Sequence, residues 1–271
     1  MTDKLRRSIL ALSLLCLSLA MFPSAASASH SWNGYHWARQ SNPFTLKLGN
    51  NLNSTWSPIL STTSSDWTSS TVLNTTIVAG GTTARQCRST LGQVEVCNNT
   101  YGNNGWLGIA GVSVSGSHIT AAYVKLNDSY FNTPQYNTTA WRNLVSCQEV
   151  GHTFGLDHQD TDFNNANLGT CMDYSNDPST NQHPNSHDYA ELVTIYTHLD
   201  STTTVKALPP AMSQIDFDGP GQWGKLVGFT DKGLTSVYEL DFGGGNKIFT
   251  FVIWANPDVL DGRGSHGPQV Q

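Results

Sequence analysis

Two histidines six residues apart, His152 and His158, share a short segment with Gln148 and Glu149: Gln148-Glu149-Val150-Gly151-His152-Thr153-Phe154-Gly155-Leu156-Asp157-His158. On a helix, positions 148 and 152 lie one turn apart and point the same way. Gly155 tolerates left-handed backbone angles, so the chain can bend back there and bring His158 in from another direction. Three protein ligands with a fourth position left to water are the arrangement of a catalytic zinc site. Such an ion lowers the pKa of water towards about 7, and a glutamate beside the first ligand is placed to take its proton. The chemistry expected of this spacing is hydrolysis by activated water.

The segment resembles the metzincin consensus H-E-x-x-H-x-x-G-x-x-H at every fixed position except the first, which is Gln148. By that resemblance Glu149 is the general base, His152 and His158 are ligands to zinc, and Gly155 is the turn. Metzincins carry a methionine turn beneath the metal, and Cys171-Met172-Asp173-Tyr174 follows at a suitable distance. Met172 matches the turn methionine. Tyr174, two residues on, has the offset of a tyrosine that donates to a developing oxyanion, with core packing as its alternative role. The resemblance is to secreted bacterial matrixin-like proteases and covers roughly residues 36 to 200. It implies an α/β (α+β) fold: a twisted mixed sheet with a helix behind it, a ligand helix, a methionine turn and a late helix. It also implies a protein or peptide substrate.

An amide oxygen is a poorer zinc ligand than an imidazole. Either the Gln148 oxygen binds the ion, or Asp157, Asp160, His118 or His187 replaces it, or the metal is lost. The last option leaves a rival of another class, a non-catalytic extracellular binding module built on the same fold.

The elements that must position these groups are legible as patterns. Phe44–Leu48 alternates and reads as a strand, Ser54–Ser64 as a helix, and Thr71–Val78 as a second strand. Residues 87–97 read as a disulfide-closed excursion. Trp106–Val114 and Ile119–Leu126, joined by Ser115-Gly116-Ser117-His118, read as a hairpin. By resemblance this hairpin lies at the sheet edge that aligns substrate backbone. Asn137 or Thr138 caps a helix beginning near Ala140 and stopping at Gly155, with Trp141, Leu144, Val145, Gln148 and His152 on one face. His187–His198 reads as the late helix. Three β-leaning runs follow, Trp223–Phe229, Ser236–Phe242 and Lys247–Trp254, as a small antiparallel segment.

The ends of the chain bear on compartment. Lys4, Arg6 and Arg7, an apolar run Ile9–Phe22 and the exit Ala26-Ser27-Ala28 form a secretory signal, too short to span a membrane. The expected division is residues 1–28 signal, 29–204 protease-like domain, 205–255 β appendage and 256–271 disordered tail. Removal of the signal takes Cys16 and leaves Cys87, Cys97, Cys147 and Cys171. An even set in an exported chain reads as two disulfides, expected as Cys87–Cys97 and Cys147–Cys171, with the other pairings open. By the resemblance, the second bridge would tie the ligand helix to the methionine turn.

The formal charge of −6 and the absence of a basic stripe argue against a nucleic-acid partner, and no other stretch suits a membrane. The Asp157, Asp160 and Asp162 loop reads as a solvated turn in preference to a calcium site. His30, His36, His183, His187, His198 and His266 read as surface or packing residues. Trp223, Tyr238, Phe242, Phe251 and Trp254 read as core in preference to a carbohydrate-binding surface.

Overall fold

The computed structural model describes residues 30–160, 162, 165–173, 175, 177–203, 209–213, 218–229 and 234–256. The signal segment, Tyr174 and the tail beyond residue 256 lie outside them. The molecule is a mixed α/β structure. Strands β1 (His36–Trp37), β2 (Phe44–Asn51), β3 (Leu73–Ala79), β4 (Thr90–Leu91), β5 (Gln93–Asn99), β6 (Trp106–Ser115), β7 (His118–Asn127), β8 (Lys225–Phe229), β9 (Thr235–Asp241) and β10 (Asn246–Trp254) form one sheet. Its main order is β3-β2-β5-β7-β6-β10-β9-β8. The β3-β2-β5-β7 half is parallel, and pairing turns antiparallel from β7 onward. The helices are α1 (Ser57–Thr68), α2 (Asp128–Phe131), α3 (Thr139–His152), α4 (Ser186–Ile195) and α5 (Pro210–Ser213).

Helix α1 starts three residues later than its apolar pattern suggests. The Asn53 side chain accepts from Thr55 N and Trp56 N at 3.0 and 3.2 Å, which holds residues 53–56 in a turn, and Pro58 then suits the first helical turn. The helix buries Ile59, Leu60, Thr63 and Trp67, and Trp67 Nε1 donates to the Cys147 carbonyl on α3. Each apolar side chain so buried contributes roughly 1.5–3 kcal/mol. The main core lies between the sheet and helices α1, α3 and α4.

Three readings of the sequence change. The 87–97 excursion is half a strand, since β5 runs through the sheet between β2 and β7. Glu95 disguised it. That carboxylate is fully buried, accepting from Asn51 Nδ2 at 2.7 Å and Gln93 Nε2 at 2.8 Å. The hairpin β6–β7 forms, but β6 is not an edge. Strand β10 pairs with it along its length, from Asn246 opposite Ser115 to Trp254 opposite Trp106. The expected antiparallel segment therefore continues the main sheet. Its aromatics Trp223, Tyr238, Phe251 and Trp254 are buried, which favours packing over carbohydrate recognition.

Both expected disulfides, Cys87–Cys97 and Cys147–Cys171, are present. Among the described residues no helix is long and apolar enough to cross a membrane.

Candidate functional site

Helix α3 presents the first part of the site. Thr138 caps it, its hydroxyl accepting from Trp141 N at 3.2 Å. Its inner face buries Gln148, Glu149 and His152, each at most 2 % exposed. Gly151 has no side chain for a reason: a Cβ there would stand 2.6 Å from Met172 Sδ and 2.8 Å from a Trp67 ring carbon. The methionine therefore packs directly under the ligand helix, and Cys147–Cys171 ties the same two segments together.

The chain reverses at Gly155, where φ is +98° and a Cβ would meet the Tyr35 carbonyl oxygen at 2.3 Å. The reversal brings the ring of His158 edge-on to that of His152, centroids 4.8 Å apart. Backbone bonds fix the returning strand, Gln159 N donating to the Met172 carbonyl at 2.7 Å and Asp157 N to the His30 carbonyl at 2.5 Å.

The orientation of each group follows from its partners. A carbonyl only accepts, so the 2.9 Å contact between His152 Nδ1 and Leu156 O makes Nδ1 the protonated nitrogen and leaves a lone pair on Nε2. His158 Nδ1 faces the Asp157 carboxylate at 3.5 Å, which directs Nε2 to the other side. The Gln148 amide donates from Nε2 to the Asp173 carbonyl at 3.4 Å. Its Oε1 is buried with no hydrogen-bond partner, as is Glu149 Oε2. Buried oxygens without a donor cost on the order of 1–3 kcal/mol each. Two of them on the helix that also carries His152 are what a cation site presents. The donor types of Gln148, His152 and His158 fit a divalent ion.

Burial lifts the Glu149 carboxyl well above the ordinary carboxylate value, opposed in part by a hydrogen bond with the Ala110 backbone. Burial, and then the neighbouring His158, hold His152 far below its ordinary value. The enclosure disfavours the charged form of both groups.

The other residues considered as a third ligand serve elsewhere. Asp157 pairs with His158, and Asp160 accepts from Asp162 N at 3.2 Å within its own loop. His118 contacts Asp200 at 3.0 Å, and His187 stacks on His30.

Three parts of the site were not visible in the sequence. Phe251 of β10 lies flat on His152, centroids 4.3 Å apart and planes 12° from parallel. Thr235 and Trp254 join Trp141 and Gln148 around a small pocket with room for about one water molecule. Strands β9 and β10 thus roof the site. Nothing in the local pattern of either strand marks this, because it depends on a pairing across more than 130 residues.

No family model matches the chain, and no curated protein matches it. Solved structures that resemble it include "Structure of myroilysin", at 12 % identity and TM-score 0.33 over 64 % of this chain and 98 % of that one, and "Crystal structure of myroilysin", at 11 % identity and TM-score 0.32 over 66 % and 89 %. Likeness at that level carries no argument about this site.

Proposed function

We propose that the chain is a secreted, zinc-dependent endopeptidase of metzincin type, with Gln148, His152 and His158 as metal ligands and Glu149 as general base. One observation carries the reading: the unpartnered oxygens of Gln148 and Glu149 lie buried on the helix that carries His152, and the Gly155 turn returns His158 to the His152 ring. Bound zinc would supply Lewis acidity, polarising the peptide carbonyl and making water a competent nucleophile near neutral pH.

The chain's own groups do the rest. Glu149 Oε2 takes a proton as water oxygen bonds to the carbonyl carbon, and gives it to the nitrogen as the C–N bond breaks. That role requires an ionised carboxylate, which burial opposes and a neighbouring cation favours. Tyr174 is assigned the oxyanion contact on its offset from Met172 alone. Two disulfides and the leader-like start fit export.

The roof formed by β9 and β10 favours a second reading, a metzincin-like binding module without turnover. Phe251 of β10 lies on His152, so a polypeptide approaching His152 from that side requires β10 to part from β6. The deciding experiment uses purified secreted protein. Bound zinc is measured, and cleavage of a denatured protein is compared with and without Glu149→Ala. Zinc with Glu149-dependent cleavage supports the peptidase. Equal cleavage by both forms removes Glu149 as base, and a zinc-free, inert protein supports the binding module.

A further inference from the structure

A second group of donors lies away from the site above. His36 sits in β1, His118 opens β7, and His198 and Asp200 follow α4. The parallel pairing of β1 with β7 sets His36 directly beside His118.

Asp200 organises the group. Its Oδ2 is held by Arg39, from the backbone N at 3.1 Å and from Nη1 at 2.9 Å. Oδ1 faces three imidazoles: His118 Nε2 at 3.0 Å, His36 Nε2 at 3.5 Å and His198 Nε2 at 3.7 Å. His198 Nε2 and His36 Nε2 are themselves 3.1 Å apart, with the two rings perpendicular. The donors of His36, His198 and Asp200 all lie within 4.8 Å of one another. His36 Nδ1 contacts the Gly34 carbonyl at 2.8 Å and must therefore be the protonated nitrogen, which leaves the inward Nε2 a lone pair. This is the outer hydrogen bond that a metal-bound histidine ordinarily makes.

Hydrogen bonding alone explains one or two of these contacts. It does not explain why the donors of His36, His198 and Asp200 converge with the spacing of a coordination shell. A tetrahedral ion with bonds of about 2.0–2.1 Å separates its ligands by roughly 3.4 Å. The three separations among these donors are 3.1, 3.5 and 3.7 Å. Imidazole nitrogen with one carboxylate oxygen suits zinc and its first-row neighbours and not calcium or magnesium.

We propose that His36, His198 and Asp200 form a second metal site that takes zinc, with His118 bonding to the Asp200 carboxylate from outside it. It staples two segments distant in sequence: β1 and the segment after α4. Three protein ligands leave the fourth position to water. An ion reaches it from solvent past His198, whose side chain is 54 % exposed. The inference is independent of the peptidase reading.

The test is zinc content per chain after dialysis against metal-free buffer, for the native chain, His198→Ala and His158→Ala. His198→Ala is expected to retain one zinc equivalent fewer than the native chain, and zinc is expected to raise the thermal midpoint of the native chain more than that of the variant. Equal zinc content in the native chain and a folded His198→Ala overturns the proposal, whatever His158→Ala shows. Loss confined to His158→Ala likewise overturns it while leaving the peptidase site intact. Should His198→Ala fail to fold, His198→Gln, which keeps most of the bulk of this half-exposed side chain, is read the same way.

Discussion

In the metal-free protein, Glu149 should make stability fall as pH rises. Its carboxyl is wholly enclosed, and burial lifts it well above the ordinary value of 4.5. Between that value and its folded value the folded chain keeps a proton that the unfolded chain has released. Stability then declines with pH by up to about 1.4 kcal/mol per unit for one group. His152 acts with the opposite sign. Burial and the neighbouring His158 lower it from 6.5 to about 3, so its contribution is whole above 6.5 and is lost as pH falls towards 3. Upward from about 4.5, where the two windows overlap, the slopes oppose each other. Glu149→Gln keeps the shape and removes the ionisation. As pH rises from 4.5 the native chain should lose stability that the variant retains, by up to about 1.4 kcal/mol per unit. Urea unfolding in the presence of a chelator, at pH 4.5, 5.5 and 6.5, measures this. Parallel pH dependences for the two proteins would refute the reasoning, because Glu149 would then be ionised or solvated in the fold.

Other expectations concern the ligands, the roof and the staple. Gln148→His replaces a weak amide ligand by an imidazole, and zinc affinity measured by competition with a chromophoric chelator should rise at least tenfold, about 1.4 kcal/mol. Phe251→Ala removes the ring that lies on His152 and should cost about 3–5 kcal/mol by thermal unfolding, while cleavage of a short peptide at a temperature where the protein is folded should increase. Replacing both Cys147 and Cys171 by Ser opens a closure of 24 residues, with an expected loss of about 3.5 kcal/mol in denaturant unfolding and weaker zinc retention.

The sequence carried what is local. The α3 face, its Thr138 cap and the Gly155 reversal were all legible because a helix period, a capping hydroxyl and a glycine act over a few residues. The β6–β7 hairpin was legible for the same reason. What escaped depends on distant partners. Strand β5 was hidden by Glu95, a charge that belongs inside only once Asn51 and Gln93 arrive to bond it. The roof over His152 was hidden because Phe251 reads as an ordinary strand aromatic until β10 is paired with β6. His36 and His198 read singly as packing or surface residues, and His118 as a candidate replacement for Gln148. Their convergence on Asp200 follows from the β1–β7 register and the course of the chain after α4, neither of which has a sequence signature.

The proposed metal centre is defined by its geometry, and diffraction at the zinc absorption edge from crystals grown with zinc tests it. An anomalous peak is expected within about 2.0–2.3 Å of His152 Nε2, His158 Nε2 and Gln148 Oε1, with Glu149 beside it. A zinc-loaded crystal with no peak between His152 and His158, or with Gln148 Oε1 turned away from it, would contradict this assignment.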